Sequence, residues 1–411
     1  MEQAGDPVRR PDVSTAVAEL LRRTWHIPPN DLTRIVEVAR DVLGADEAKV
    51  LVADYGLLSL QALGDGPVTE AQSIEGTLAG RALSHDEVVA SGTDPTVVYV
   101  PLTEGTERIG VLQLSHSRWD DDAAALAGPV AQLLVLLLIS KRRYTDAVPR
   151  SRRSEPLSMA AEIQWSLLPP LACEADGVAL SGILEPAYSI GGDSFDYALD
   201  PGGVQFAIID AVGHGMPAVL LTVAAINALR NARREGRSIS EAYVAGGSVL
   251  EAQFGGSSYV TGQIGTLDVP TGRLSWLNAG HPLPLLVRDG HVRELGCRPS
   301  WPMGLGGTVA EVAVEDLQPG DTVLFYTDGA VESRSRRGEP FGVPRLIDHL
   351  AVAAQEGVAP AETVRRLSTS IVAYNGSQLS DDATLLLLEY HGLGVGDAAT
   401  AEAFGPYDHM K

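Results

Sequence analysis

The chain has 411 residues, which is too long for one ordinary domain and predicts two or three. Hydrophobic residues make up 45% of it and charged residues 20%, as in soluble globular proteins with well-formed cores. A formal net charge of −22 argues against binding to nucleic acid or to an anionic membrane, because both reward basic surfaces.

The cysteines and the apolar runs predict a cytoplasmic protein. Cys173 and Cys297 are the only cysteines and form no CxxC pattern, as expected in a reducing compartment. Residues 1–12 are polar, lack the apolar core of a signal peptide and are predicted to be a disordered tail. The longest apolar run, 123–139, contains Gly128, Pro129 and Gln132 and falls short of the roughly 20 residues of a spanning helix. We therefore predict that this run forms a buried helix.

Residues 13–141 show the mixed periodicities of an α+β domain. The predicted elements are helices over 13–25 and 31–43, strands over 48–53 and 57–63, a helix over 73–83, strands over 97–102 and 108–114, and a helix over 123–141.

This layout resembles a GAF domain, on the strength of the segment 76–81 and of the strand 108–114 before a terminal helix. In that family the sheet often holds a small ligand and the end helices often pair two chains. A ligandless dimerisation module fits the sequence equally well. His85 and His116 are isolated and are interpreted as structural or solvated residues rather than haem ligands, so we assign no ligand.

Residues 142–170 are predicted to be a linker. The arginine-rich run 141–153 is interpreted as a solvated connector. A helix over 157–168 follows, and Pro169-Pro170 ends it. One face of this helix carries Leu157, Ala160, Ala161, Gln164 and Leu168. Such a helix can carry a signal between two domains, gate a site or pair with its counterpart in a homodimer.

The stretch 191–215 holds the first candidate site. Two runs of strand-forming residues flank the turn signal Asp-Pro-Gly-Gly at 200–203, which predicts a β-hairpin. In a symmetric hairpin Asp193 lies directly opposite Asp210, with Cβ atoms only about 4.5–5.5 Å apart. Two carboxylates that close repel each other unless a proton or a cation lies between them. Oxygen ligands favour Mg²⁺ or Mn²⁺ over Zn²⁺. The alternative is that these aspartates merely initiate turns.

The rest of the chain predicts two sheets with pairs of helices. The elements are helices over 216–234 and 239–254, strands over 259–267, 273–278, 283–287, 292–295 and 322–327, helices over 343–353 and 360–374, and a strand over 383–390. This order suits a sandwich of two antiparallel sheets flanked by helix pairs. Residues 392–411 are predicted to be a disordered tail.

Four acidic positions share one sequence pattern, in which an aspartate lies at the end of an apolar strand. They are Asp193, Asp210, Asp328 and Asp381, the last followed by Asp382. Side chains at such positions can converge on a cleft. Convergence without counterions would raise their pKa values by several units, and two divalent ions would remove that cost. A pair of ions about 3.5–4 Å apart can activate a water for attack on phosphorus.

Five motifs follow the order and spacing of the PPM-type metal-dependent serine/threonine phosphatases and resemble the bacterial SpoIIE-type branch. They are Gly191-Gly192-Asp193-x-x-Asp196, Asp210-Ala211-x-Gly213-His214-Gly215, Asn278-Ala279-Gly280-His281-Pro282, Thr327-Asp328-Gly329 and Asp381-Asp382-Ala383-Thr384. Residues 161–169 also resemble the helix that usually precedes this domain, so the resemblance spans about 159–390. It implies a phosphatase domain over 171–391 with an αββα sandwich fold.

The resemblance implies a phosphoserine/phosphothreonine phosphatase with two Mn²⁺ or Mg²⁺ ions and no phosphoenzyme. Asp210 would bridge the ions, and the backbone carbonyl of Ala211 would bind the second. Asp328 and Asp381 would hold the first ion, and Asp193 would act on the second, directly or through water. Many relatives have glycine where this chain has Ala211; because the ligand is a carbonyl, alanine serves if its φ is negative.

Three further residues are candidates for the site. Asp196 belongs to the first motif, and Asp382 follows the aspartate that matches the family ligand. His214 suggests a general acid, but we favour a glycine-flanked histidine that shapes the entry to a helix. His281 and Asn278 are interpreted as loop-forming residues near the site.

The sequence as a whole predicts a cytoplasmic sensor phosphatase. In the SpoIIE-type branch the usual substrate is a phosphorylated anti-sigma-factor antagonist of the STAS fold, which makes this the expected partner. No kinase-like or STAS segment is recognisable, so kinase and target are expected to be separate chains. Two other functions stay open. One is a di-metal phosphodiesterase acting on a nucleotide, which the missing basic groove disfavours. The other is a catalytically inactive scaffold, which the complete set of aspartates disfavours.

Overall fold

The computed structural model describes residues 12–64, 71–189, 191–307, 310–376, 379 and 381–393. The tails predicted over 1–12 and 392–411 lie outside these ranges apart from their innermost residues. The chain divides into two compact units, Met1–Pro156 and Leu157–Lys411.

The first unit is an α+β domain built on one antiparallel sheet. Its strands are β1 (Glu47–Ala53), β2 (Ser59–Ala62), β3 (Gln72–Ser73), β4 (Val89–Ala90), β5 (Thr96–Glu104) and β6 (Glu107–His116). Its helices are α1 (Val13–Thr24), α2 (Leu32–Leu43), α3 (Leu78–His85), α4 (Asp121–Arg142) and α5 (Ala147–Ser151). The six strands pair in the order β3-β2-β1-β6-β5-β4.

Helix α4 is the core helix of the first unit. Its residues Leu126, Val130 and Leu134 are buried, and the helix packs against β5, α1 and α2. Within the described part of the chain it is the one helix long and apolar enough to cross a membrane, and 44% of its most apolar window is buried. The predicted helix is present, but it is buried on one face only, since Leu136 on another face is 57% exposed.

The helix predicted over 73–83 begins later than expected. Residues 72–73 form β3 and pair with β2, so the backbone there is extended. Thr77 then begins α3 as its N-cap, with its hydroxyl accepting a 3.0 Å hydrogen bond from the amide N–H of Gly80. An N-cap of this kind satisfies an amide that the first turn of a helix leaves unpaired.

The arginine-rich run 141–153 is not the fully solvated connector that its charge predicted. The short helix α5 forms within it and buries Val148. The guanidinium of Arg152 lies 4.5 Å above the ring centre of Tyr55, and its Nε donates to the carbonyl of Ala53. Part of the run therefore packs on the first unit.

The second unit contains two antiparallel sheets. Its strands are β7 (Ala172–Ala175), β8 (Val178–Glu185), β9 (Asp193–Asp200), β10 (Gly203–Ala211), β11 (Val260–Asp268), β12 (Arg273–Ala279), β13 (Leu285–Arg288), β14 (His291–Glu294), β15 (Val312–Asp316), β16 (Thr322–Tyr326) and β17 (Ala383–Tyr390). One sheet has the order β15-β12-β11-β10-β9 and the other β14-β13-β16-β17-β8-β7.

Helices cover the outer face of each sheet of the second unit. They are α6 (Met159–Leu167), α7 (Met216–Arg234), α8 (Ile239–Phe254), α9 (Asp328–Glu332), α10 (Gly342–Glu356) and α11 (Pro360–Asn375). The pair α7 and α8 packs on the five-stranded sheet, and the pair α10 and α11 packs on the six-stranded sheet. The predicted αββα sandwich is confirmed. Strands β7, β8 and β15 and helix α9 were not predicted.

The inner faces of the two sheets share one core. Phe206 of β10 and Phe325 of β16 meet there with ring centres 4.7 Å apart, and Trp276 is buried in the same cluster. Because successive side chains of a strand point to opposite faces, the neighbouring residues Ala207 and Ile209 belong to the second core, under α7 and α8. This alternation decides which polar residues at the strand ends face the space between the sheets.

Candidate metal centre

Asp193 and Asp210 face each other across the hairpin of β9 and β10. The turn at Pro201 and Gly202 is tight, and Gly202 has φ +82°, which glycine adopts readily. The register pairs Asp210 directly with Asp193, which confirms the predicted juxtaposition. Alternate residues of a strand share a face, so Asp210 lies on the same inner face of the sheet as Phe206 and Ile208, near the end of β10.

Asp193 is held in a buried setting that disfavours its charge. Its side chain is 2% exposed, and the hydroxyl of Thr327 donates a 2.6 Å hydrogen bond to its Oδ2. Burial raises the pKa of Asp193 well above its ordinary value, and the nearby carboxylates of Asp210 and Asp382 raise it further. Such crowding of like charges is what a bound cation relieves.

The carboxylate of Asp210 lies near carboxylates from two other segments of the chain, those of Asp328 and Asp381. Burial, followed by the charges of Asp328 and Asp381, raises its pKa to about 7. The pKa of Asp328 is raised as well, by burial and then by Asp381. The structure thus brings together Asp193, Asp210, Asp328 and Asp381, which the sequence places far apart.

Asp328 reaches the cluster because α9 begins immediately after β16. The next residue, Gly329, lies against the start of β17: a Cβ on it would stand 1.9 Å from the carbonyl oxygen of Asp382. Thr327 joins the same two strands, since its amide donates to the Thr384 carbonyl and its hydroxyl accepts from the Thr384 amide. Only glycine at position 329 permits this approach. Close packing against β17 therefore explains why glycine follows Asp328.

The two adjacent aspartates before β17 have different environments. Asp381 is exposed, whereas Asp382 is 2% exposed. Asp382 accepts hydrogen bonds from the amide of Asp193 at 3.2 Å and from Nε2 of Gln164 at 3.5 Å. Burial raises the pKa of Asp382 to about 7. Strand alternation explains the difference, because Asp382 lies two residues before the inward-facing Thr384.

Gln164 is a site residue that the sequence did not single out beyond its helix face. It lies on α6, is 1% exposed, and its Nε2 donates a 2.7 Å hydrogen bond to the backbone carbonyl of Asp193. Thr327 was likewise given no role of its own, although it is part of the motif Thr327-Asp328-Gly329. Both residues lie within recognised segments, yet their partners are distant in sequence and no local pattern predicts these bonds.

Ala211 lies at the end of β10 with its backbone fixed. Its amide donates a 3.2 Å hydrogen bond to the carbonyl of Gly192. Among the described residues, the only non-glycine positions with positive φ are Leu57, Asp86 and Asp289, so the φ of Ala211 is negative. The condition under which alanine serves in place of glycine is therefore met.

The two histidines of the motifs are placed differently. His214 is exposed between Gly213 and Gly215, which have φ values of +89° and +70° and lead into α7. His281 is 6% exposed, and burial lowers its pKa to about 3. Its backbone amide and carbonyl both bond to the side chain of Asn278, at 2.7 and 2.8 Å, which agrees with a loop-forming role for both residues.

Asp196 does not join the cluster. It lies three residues after Asp193 and so on the opposite face of β9, where it lines a separate cavity of 410 Å³. Both of its carboxylate oxygens are taken by guanidinium groups: Oδ1 pairs with Arg230 at 2.6 Å and Oδ2 with Arg233 at 2.8 Å. The structure therefore does not bring Asp196 together with the other predicted site residues.

The donor set fits hard divalent cations that keep part of their water. The converging side chains offer only carboxylate oxygens, and within the described ranges no cationic side chain is hydrogen-bonded to Asp193 or Asp210. The described residues also contain no group of three or more His, Cys, Asp or Glu side chains already arranged around one point. Mg²⁺ needs no such cage, because it usually keeps several waters and takes one or two carboxylates.

The sandwich of two sheets, with aspartates gathered at the ends of its central strands, defines the second unit as a PPM-type metal-dependent protein serine/threonine phosphatase domain, a class of hydrolases. Residues 200–391 match the family model described as Stage II sporulation protein E (SpoIIE). Over these residues the second unit is therefore similar to the SpoIIE-type branch of that class.

Three similar proteins place this match among bacterial relatives. The phosphoserine phosphatase RsbU of Bacillus subtilis (strain 168) is 23% identical over 238 residues, which cover 56% of this chain and 69% of RsbU. The structure of the RsbU and RsbW domains of Rv1364c from Mycobacterium tuberculosis is 28% identical with a TM-score of 0.47. The match covers 55% of this chain and 63% of that one, less than two thirds of its length. The SiaA-PP2C domain of Pseudomonas aeruginosa is 22% identical with a TM-score of 0.48, over 56% of this chain and 94% of that domain.

Proposed function

We propose that this protein removes phosphate from phosphoserine or phosphothreonine of another protein, using two Mn²⁺ or Mg²⁺ ions. The observation that carries the proposal is the convergence on Asp210 of the charges of Asp328 and Asp381, with Asp193 directly opposite. A phosphoprotein substrate also agrees with the SpoIIE family match and with the similarity to a phosphoserine phosphatase.

Each converging residue has a proposed role. Asp210 would serve both ions, and the Ala211 carbonyl and Asp193 would serve the second of them. Asp328 and Asp381 would hold the first ion. When bound, such a pair of ions stabilises the charge of the phosphate and lowers the pKa of the attacking water.

Other residues of the chain position these donors rather than touching the ions. Thr327 orients the carboxylate of Asp193, and Gln164 fixes its backbone. Asp382 holds the Asp193 amide and, in this proposal, is not itself a ligand. His214, exposed between two glycines, shapes the entry to α7 rather than acting as a general acid.

The proposed substrate is a phosphorylated anti-sigma-factor antagonist of the STAS fold, provided by a separate chain. This follows from the resemblance to the SpoIIE-type branch, and the similarity to RsbU supports it. The proposed location is the cytoplasm, which agrees with two cysteines that are both free in the structure.

We further propose that the first unit, as a GAF-like sensor, controls the phosphatase unit and pairs two chains. Helix α6 begins at Met159, three residues after the boundary of the first unit at Pro156. Gln164 on this helix bonds to the backbone of Asp193, so a shift of α6 would move a proposed metal ligand. Deleting residues 1–153 should change the phosphatase rate; an unchanged rate and metal affinity would remove the regulatory idea.

The test of the proposed activity is hydrolysis of p-nitrophenyl phosphate with and without Mn²⁺, by the wild type and by Asp210→Ala. We expect Mn²⁺-dependent hydrolysis that the substitution abolishes. No hydrolysis by the wild type would favour the inactive scaffold. A diester, bis-p-nitrophenyl phosphate, hydrolysed faster than a phosphoserine peptide would favour the phosphodiesterase.

A further inference from the structure

The loop that follows α9 concentrates positive charge beside the candidate metal centre. Residues 333–341 contain Arg334, Arg336 and Arg337 against one acidic residue, Glu339, in a chain of net charge −22. All three arginines are exposed. Helix α9 has five residues and so spans about 7 Å, which places the base of the loop close to Asp328 at the start of the helix.

This loop, called here the basic hairpin (residues 333–341), is an ordered element. The Phe341 amide donates to the Ser333 carbonyl at 2.7 Å, and the Ser335 amide donates to the Glu339 carbonyl at 2.9 Å. At its base, Ser333 is 3% exposed and accepts from Asn375 of α11. Its arginines therefore start from a fixed backbone, which lowers the entropy cost of using them in binding.

The arginines of the basic hairpin differ from most other arginines in the second unit. Arginines with carboxylate partners are Arg230, Arg233, Arg237, Arg288, Arg293, Arg298, Arg365 and Arg366. Within the described residues, Arg334, Arg336 and Arg337 form no ion pair. Arg334 stabilises the hairpin by donating to the Gly338 carbonyl at 3.0 Å. Arg336 lies against Gly376 at the end of α11, and neither it nor Arg337 has a carboxylate partner among the described residues.

We infer that the basic hairpin docks an acidic segment next to the phosphorylated residue of the substrate protein. The inference rests on the proposed function and names the class of phosphoprotein that the site selects. A strongly acidic enzyme repels an anionic substrate, and a local patch of opposite charge both steers that substrate and fixes its orientation. The hairpin supplies such a patch near the centre where the phosphate must arrive.

The test compares two synthetic phosphoserine peptides of equal length, one flanked by aspartates and one by lysines. The wild type should show a kcat/KM about tenfold higher for the acidic peptide, with a preference that weakens as salt rises. Arg336→Glu/Arg337→Glu should lose this preference, with a much smaller fall in kcat/KM for p-nitrophenyl phosphate, which carries no acidic flank for the hairpin to bind.

The matched control is Arg234→Glu/Arg273→Glu, which changes the net charge equally. Arg234 lies at the far end of α7, about 27 Å along that 19-residue helix from its start, and Arg273 begins β12 at the end opposite Asn278. This control should keep the preference.

Three outcomes would overturn the inference. They are equal rates on the two peptides, the same loss in both double variants, and capture of the wild type by phosphatidylserine vesicles with no peptide preference. Failure of the proposed function is distinguishable, because it would remove the Mn²⁺-dependent hydrolysis of p-nitrophenyl phosphate as well.

Discussion

The hydroxyl of Thr327 donates a 2.6 Å hydrogen bond to the carboxylate of Asp193, a residue 134 positions earlier in the chain. The same hydroxyl accepts a 2.9 Å bond from the amide of Thr384. One buried side chain thus joins the ends of β9, β16 and β17, the strands next to Asp193, Asp328 and Asp381. This junction fixes the position of Asp193 in the candidate metal centre.

Replacing Thr327 with valine should weaken Mn²⁺ binding about 10- to 100-fold, because partners that orient a metal ligand commonly contribute that much. The buried Thr384 amide loses its acceptor, so the free energy of unfolding should also fall by about 1–3 kcal/mol. Isothermal titration with Mn²⁺ and urea denaturation measure the two effects. Thr327→Ser keeps the hydroxyl and should stay near the wild type. Wild-type Mn²⁺ affinity in the valine variant would contradict this account.

Replacing Gly329 with alanine should disrupt the phosphatase. The new Cβ would lie 1.9 Å from the Asp382 carbonyl oxygen, so the start of β17 must move and the free energy of unfolding should fall by about 1–3 kcal/mol. Loss of Mn²⁺-dependent hydrolysis should accompany the fall. Gly296→Ala is the control, because a Cβ there meets nothing within 4 Å. Equal behaviour of the two variants would show that the close approach is unimportant.

The stability of the metal-free protein should depend on pH in a defined direction. Asp210 has its pKa raised from 3.8 to about 7, so the folded protein holds this proton more tightly than the unfolded chain. Asp382, whose pKa is also raised to about 7, acts in the same direction, whereas buried His281, whose pKa is lowered to about 3, acts in the opposite direction. Because the raised carboxyls outnumber this histidine, the free energy of unfolding should decrease as pH rises from about 4 to about 7.

Denaturation in EDTA and in saturating Mn²⁺ across this pH range measures the effect. Mn²⁺ should stabilise the protein most at the higher pH, where the carboxylates are charged. Asp210→Asn should flatten the slope of the metal-free protein. A metal-free wild type that gains stability between pH 5 and pH 7 would contradict the prediction.

Replacing Asp196 with asparagine should damage the fold but not the metal site. Arg230 and Arg233 would lose their shared carboxylate, at a cost of about 2 kcal/mol in the free energy of unfolding, since both arginines are partly solvated. The Mn²⁺ affinity of the folded protein should be unchanged. A tenfold loss of affinity without loss of stability would return Asp196 to the metal site.

Much of the second unit follows from local rules in the sequence. The facing of Asp193 and Asp210 comes from the symmetry of a hairpin around its turn. Helix α8 and strand β17 have the predicted bounds because hydrophobic period and capping agree there. The αββα order follows from the succession of elements.

Contacts between distant segments could not be predicted from local rules. The roles of Gln164 and Thr327 depend on partners in other strands. The pairing of Asp196 with Arg230 joins β9 to α7, so the sequence gives no local sign of it. The alternation of side chains along β9 does place Asp196 and Asp193 on opposite faces of the strand. This local rule therefore predicts that Asp196 does not face the metal centre.

Strand β17 lies in the interior of its sheet, between β16 and β8. During translation β8 is made long before β17. Until β17 pairs with it, β8 presents an open hydrogen-bonding edge. The six-stranded sheet therefore cannot close until the end of translation, whereas all strands of the five-stranded sheet are made earlier. Until then the open strand edges of the six-stranded sheet are the kind of surface that chaperones shield.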